Sequence, residues 1–114
     1  MVSCAACGQR VALGRRRYLC RMARVQTLVA QLDLARHEAE KDVAETPPEV
    51  RSALLEVRPL LEGLLAEGRG HAVDLHEAAH HRAFAVDDDR VRTWESTAER
   101  VLFELLAALE LHPD

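Results

Sequence analysis

The sequence has few aromatic residues and no long apolar run. Only 4% of its 114 residues are aromatic, with one tryptophan, one tyrosine and two phenylalanines. A β-sandwich core normally draws on aromatic and β-branched residues, so this composition favours helices packed through leucine, valine and alanine. No stretch approaches the roughly 20 apolar residues of a membrane-spanning helix, so we expect no membrane partner.

Acidic residues are missing from the first 32 positions. That segment carries six positive charges, whereas residues 33–114 hold nineteen acids against nine basic residues, a net charge of −10. A basic segment on an acidic body is typical of a chain that contacts a polyanion. The sequence therefore predicts a surface that binds nucleic acid or an acidic partner, formed by Arg10, Arg15, Arg16, Arg17, Arg21 and Arg24. The alternative is that these arginines are simply solvated.

Cysteine is equally sparse, and all three cysteines lie in the basic segment. An odd number at such close spacing does not suit the disulfide framework of a secreted protein. Metal-binding or free thiols in a reducing compartment fit better. The N-terminus also lacks the basic and apolar regions of a secretory signal. We therefore expect a cytoplasmic protein.

Apolar spacing predicts an all-α fold, an antiparallel bundle of three or four helices with a small finger-like head. The head covers residues 1–17. Beyond it, apolar residues recur every three or four positions, which indicates one buried face per helix. The helical body covers 18–114, with helices predicted at about 18–45, 47–67, 71–84 and 88–111.

Two features complicate the middle of this pattern. Pro59 lacks a backbone donor, so the sequence predicts a kink or a restart there. Glycines at 68 and 70 predict a break between the second and third helices. Because the apolar stripe continues in phase across that break, one bent helix over 47–84 is the alternative. The last helix has an apolar face wide enough for two neighbours, which predicts homo-oligomerisation through 91–111.

The cysteines form part of a recognisable motif. Cys4-Ala5-Ala6-Cys7-Gly8 places two thiols beside a glycine that allows a tight turn, and Cys20 follows near the start of the first predicted helix. Residues 4–24 resemble a treble-clef or zinc-ribbon finger, particularly small bacterial fingers with an arginine-rich hairpin. The resemblance implies zinc bound by Cys4, Cys7 and Cys20.

The sequence lacks one of the four zinc ligands that this resemblance requires. Such fingers have a second Cys-x-x-Cys, but Ala23 occupies the position three after Cys20. Structural zinc is nearly always four-coordinate. The fourth ligand would have to come from another helix, a second subunit or solvent. The alternative is a degenerate finger with three free thiols.

A second motif lies on the predicted third helix. His76-Glu77-Ala78-Ala79-His80 matches His-Glu-x-x-His. In this motif the two histidines, four residues apart, share a helical face and can bind one zinc. It resembles the motif of zinc metallopeptidases, which implies metal ligation by His76 and His80 and a catalytic role for Glu77. Asp74 and Arg82, however, stand where those enzymes keep uncharged residues. The alternatives are a non-catalytic metal or pH-responsive patch, and ordinary surface histidines.

Three functions are consistent with these features. The favoured one is a small binding or regulatory protein, with a basic head that contacts nucleic acid or an acidic partner and a body that oligomerises. The second is a structural or protein-interaction module that binds no nucleic acid. The third is a zinc-dependent hydrolase centred on residues 76–80. An enzyme is the less favoured class, and zinc is the expected cofactor.

Overall fold

Three α-helices follow a small β-hairpin in the structure, a computed structural model that describes residues 1–41, 48–81 and 86–110. Strands β1 (Val2–Ser3) and β2 (Arg10–Val11) pair antiparallel, with Val2 opposite Val11. A short 3-10 turn (Leu13–Arg15) leads into helix α1 (Arg16–Lys41). Helices α2 (Pro48–His80) and α3 (Asp88–Glu110) complete the described chain. The predicted all-α fold with a small N-terminal head is confirmed.

The helices run up, down and up. Arg15, just before α1, donates a hydrogen bond of 2.9 Å to the carbonyl of His81, just after α2, so these two helices are antiparallel. Arg21 and Arg24 of α1 pair in the same order with Asp88 and Glu99 of α3, so α1 and α3 run in the same direction. The N-terminal head therefore lies against the C-terminal end of α2.

The core follows the apolar spacing of the sequence. Each helix contributes buried side chains at intervals of three or four residues, because that interval returns to the same helical face. The head joins this same core through Cys4 and Val11, which are 1% and 2% exposed. The helical core residues include Val25, Leu32, Leu61, Leu65, Leu75, Val91, Trp94, Ala98 and Val101.

The helix α2 is continuous where the sequence predicted two helices. Residues 68–70 lie inside it, in agreement with the alternative of a single helix. At Gly68 the helix approaches other side chains closely: an added Cβ would lie 2.7 Å from Val29 Cγ2 and still closer to the ring of Trp94. Glycine is therefore needed at 68 for packing, and it does not end the helix. Pro59 is likewise inside α2.

Several predicted boundaries fall outside the part of the chain that the structure describes. These are the ends of the predicted helices at residues 45, 84 and 111 and the start at 47. Within the described residues, no helix combines the length and apolarity needed to cross a membrane.

Candidate metal centre

Four potential metal ligands converge where the head meets the end of α2. One ligand atom from each of Cys4, Cys7, His76 and His80 lies within 4.8 Å of the other three. The Nε2 atoms of both histidines are 3.4 Å from the Cys7 sulfur. The two imidazole rings are 4.4 Å apart between centroids. Two sulfur and two nitrogen donors therefore surround one point, an arrangement compatible with a metal ion.

The hairpin of the head positions the two sulfurs. The Cys4 N–H donates to the carbonyl of Gln9 at 2.8 Å, and the Gly8 N–H donates to the carbonyl of Cys4 at 2.7 Å. Gly8 has a φ of 76°, a left-handed conformation that glycine adopts without the penalty of a side chain. This turn, closed by the strand pair, brings the two cysteines to one side.

Helix α2 positions the two imidazoles. His76 and His80 are four residues apart at the C-terminal end of α2, so their side chains share a face. Arg15 holds that end of the helix by donating to the carbonyls of Ala78 and His81. A guanidinium suits this place, since helix C-termini carry unpaired carbonyls and a partial negative charge. The same contact ties the helix end to the segment that follows the hairpin.

The two cysteines differ in environment. Burial of Cys4 acts to raise the pKa of its thiol, but hydrogen bonds from the backbone of Cys7 and Ala6 and from the Cys7 side chain outweigh it. The net effect is a pKa of Cys4 below its ordinary value, which favours the thiolate that metals require. Cys7 is exposed, and the two histidines are half-buried.

Cys20 is not part of this group. It is exposed on α1, and the described residues that gather around one point are Cys4, Cys7, His76 and His80. The finger resemblance implied Cys20 as a ligand with a fourth one missing. In the structure, two potential ligands come instead from the helix that carries the second motif. The two motifs, considered separately in the sequence, each supply half of one candidate site.

Glu77, the residue named as a catalytic alternative, turns to another neighbour. Its carboxylate lies 3.2 Å from the Nε2 of His81, one helical turn further on. Glu77 is also outside the group of four converging ligands.

The six arginines of the basic segment fall into two groups. Arg15, Arg21 and Arg24 contact the protein itself. Arg21 pairs with Asp88, and Arg24 pairs with Glu99 at 2.6 Å and Glu95 at 3.5 Å. The hydrogen bond that Arg24 donates to Glu99 and the negative charge of Glu95 raise the pKa of Arg24 above its ordinary value.

The other three arginines, Arg10, Arg16 and Arg17, are exposed. Arg17 lies 4.8 Å from the centre of the Tyr18 ring and donates to the Tyr18 hydroxyl at 2.9 Å. All three lie on the hairpin or at the very start of α1. Among the described residues, the arginines of this segment that pair with no acid are therefore fewer than the six that the sequence indicated.

The apolar face of the last helix is partly covered. Val91, Trp94, Ala98 and Val101 are buried in the bundle, whereas Phe103 is 75% exposed. Leu106 and, on α1, Leu34 are also exposed. Oligomerisation through this segment stays a prediction.

Comparison with protein-family models, with curated proteins and with solved structures found no match to the chain. The finger and metallopeptidase resemblances therefore rest on short motifs alone. A signal in the sequence did point to the combined site: each motif lacked the ligands needed to complete a tetrahedron.

Proposed function

We propose that the chain is a non-catalytic zinc protein, in which one Zn²⁺ held by Cys4, Cys7, His76 and His80 fastens a binding head to a helical bundle. The convergence of these four side chains carries the proposal. Two thiolates and two imidazoles in a tetrahedral set are typical of zinc. Thiolate ligands of this kind persist in a reducing compartment, which supports a cytoplasmic location.

The distances support zinc. With bonds of about 2.3 Å to sulfur and about 2.0 Å to nitrogen, a sulfur and a nitrogen on one tetrahedral zinc stand about 3.5 Å apart. The separations between the Cys7 sulfur and the two histidine nitrogens are 3.4 Å. Little movement of these three side chains is needed to bind the ion.

The ligand count favours a structural over a catalytic role. Catalytic zinc keeps an open position for water beside three protein ligands, whereas four protein ligands close the coordination sphere. Glu77, the candidate general base of the motif, is also paired with His81 and is not among the four converging side chains. Both points count against the hydrolase alternative.

A structural ion has a clear task in this fold. The head has two strands of two residues each, and a pair so short is not stable by itself. Its buried apolar contribution is small, consisting of Cys4 and Val11. Small units with so little core are commonly stabilised by a metal or a disulfide. Zinc would fix the head rigidly to α2.

Elemental analysis of purified protein tests this proposal. We expect one zinc per chain in the unmodified protein and in Cys20→Ser, and a loss of stoichiometric zinc in Cys4→Ser and His80→Ala. His81→Ala, which removes the neighbouring exposed imidazole, is the matched control for His80→Ala. Full zinc in the Cys4→Ser and His80→Ala proteins would contradict the assigned ligands.

When zinc fixes the head to α2, the head would present a positively charged surface to nucleic acid. Arg10, Arg16 and Arg17 support this second part of the proposal, because they are exposed and no acid occurs among residues 1–32. Arginine contacts phosphate in bidentate fashion, and such contacts give affinity without sequence specificity.

Replacing Arg10, Arg16 and Arg17 together by alanine is expected to weaken binding to single- and double-stranded nucleic acids. On double-stranded DNA each lost phosphate contact lowers the slope of log K against log salt concentration by about 0.9, so three lower it by about 3. Fluorescence anisotropy over a range of salt concentrations measures this effect.

The matched control removes the same charge from the exposed arginines of α3, with Arg90, Arg92 and Arg100 replaced by alanine. Binding should persist in this control. Equal losses in the two triple variants would contradict a binding surface on the head. If the unmodified protein binds acidic peptides but no nucleic acid, the protein-interaction alternative is the correct one.

A further inference from the structure

The two cysteines of the metal centre form a close pair with unequal access to solvent. Their sulfurs lie within 4.8 Å of each other in one turn of the head. Cys7 is exposed, whereas Cys4 is 1% exposed. One sulfur is thus open to a dissolved reagent, and the other is held behind it.

We infer that this pair is a redox-controlled latch: peroxide oxidises Cys4 and Cys7 to a disulfide, the metal is released, and the metal-mediated link between the head and α2 is lost. The inference rests on the proposed zinc site and adds its regulation. Metal ligation and the disulfide exclude each other, because both use the same two sulfurs.

The chemistry takes place in two balanced steps. The Cys7 thiolate attacks one oxygen of hydrogen peroxide, the O–O bond breaks, and hydroxide leaves while a sulfenic acid forms. The Cys4 thiolate then attacks the Cys7 sulfur, the S–S bond forms, and the S–O bond breaks with loss of a second hydroxide. Two protons from solvent convert both hydroxides to water. The two sulfurs together lose the two electrons that the peroxide gains.

The difference in exposure sets the order of these steps. Cys7 reacts first because a dissolved oxidant reaches its exposed sulfur, whereas the sulfur of Cys4 is buried, and susceptibility to oxidation increases with exposure. Cys4 resolves the sulfenic acid because its sulfur is close by and shielded from solvent. Its shielding also protects it from direct attack by peroxide.

Oxidation of the two sulfurs removes them as metal ligands. A disulfide has no thiolate to donate to a metal, so only His76 and His80 remain of the four ligands. Both belong to α2 and neither holds the hairpin. The metal-mediated link between the head and the bundle is therefore broken, and a thiol reductant restores it.

Oxidation of zinc-loaded Cys20→Ser protein tests the latch, since this background removes the exposed third thiol. Hydrogen peroxide is added in the presence of a chromogenic zinc indicator, and the products are analysed by mass spectrometry after proteolysis. We expect one zinc released for each disulfide between Cys4 and Cys7, and recovery of zinc binding after reduction. With Cys4→Ser added to this background, the Cys7 sulfenic acid should persist and be trapped by dimedone.

The outcomes separate the latch from the metal site itself. Protein that contains no zinc before oxidant is added contradicts the proposed site. Protein that binds zinc and keeps it under peroxide, or releases it without forming the Cys4–Cys7 disulfide, contradicts the latch alone. Trapping of sulfenic acid at Cys4 in a Cys7→Ser background would contradict the assigned order.

Discussion

Zinc-loaded protein is expected to unfold at a temperature roughly 10–15 °C above that of the chelator-treated protein. A ligand present at about a thousand times its Kd stabilises the folded state by about 4 kcal/mol. In a domain of this size, each 1 kcal/mol shifts the midpoint by about 4 °C or somewhat less. The shift should extend to the bundle, because Cys4 and Val11 of the head share its core.

Scanning calorimetry or circular dichroism with and without zinc measures this effect. In His80→Ala the two midpoints should coincide, whereas in His81→Ala the shift should remain. Acidification should reduce the shift, because thiols and imidazoles must lose their protons to bind a metal. An unmodified protein with the same midpoint in zinc and in chelator would remove the structural role of the ion, even if zinc were bound.

Two glycine substitutions in one helix are expected to change stability in opposite directions. Gly68→Ala should lower the free energy of unfolding by about 1–3 kcal/mol, the usual cost of overpacking a well-filled core. The added methyl meets Val29 and the Trp94 ring, and that ring is held by a hydrogen bond of 2.9 Å from its Nε1 to the Leu64 carbonyl. The helices would have to move apart.

The matched control is Gly70→Ala, two residues along the same helix. Gly70 is exposed, and apart from its chain neighbours and the adjacent backbone of α2, no described atom lies within 4 Å of the added methyl. Alanine is the better helix former by about 1 kcal/mol, so this variant should be more stable than the unmodified protein. Urea denaturation measures both changes. A stabilising Gly68→Ala would contradict the close approach of α2, Val29 and Trp94.

Packing of the three helices reduces the number of arginines that are available to a partner. Because residues 1–32 contain no acid, the sequence predicted that all six of their arginines face a partner. Because α1 and α3 run in the same direction, acids of α3 lie beside Arg21 and Arg24, and Arg15 binds the end of α2. Exposed ion pairs of this kind contribute little stability, of the order of 1 kcal/mol or less each. Their main effect is to confine free positive charge to the hairpin and the first residues of α1.

The local properties of this chain were readable from its sequence. Helices, their buried faces and the small head follow from the period of apolar residues, which acts over a few positions. The turn at Cys4–Gly8 and the shared face of His76 and His80 are equally local. Each half of the candidate metal centre could therefore be recognised in the sequence alone.

Only the tertiary structure brings the cysteine half and the histidine half of the candidate site together. Cys7 and His76 are far apart in the chain, and only the antiparallel packing of α1 against α2 returns the end of one helix to the start of the other. The same packing decides that Gly68 is a contact and not a helix end. No spacing rule covers such contacts, because they depend on which faces of distant segments meet.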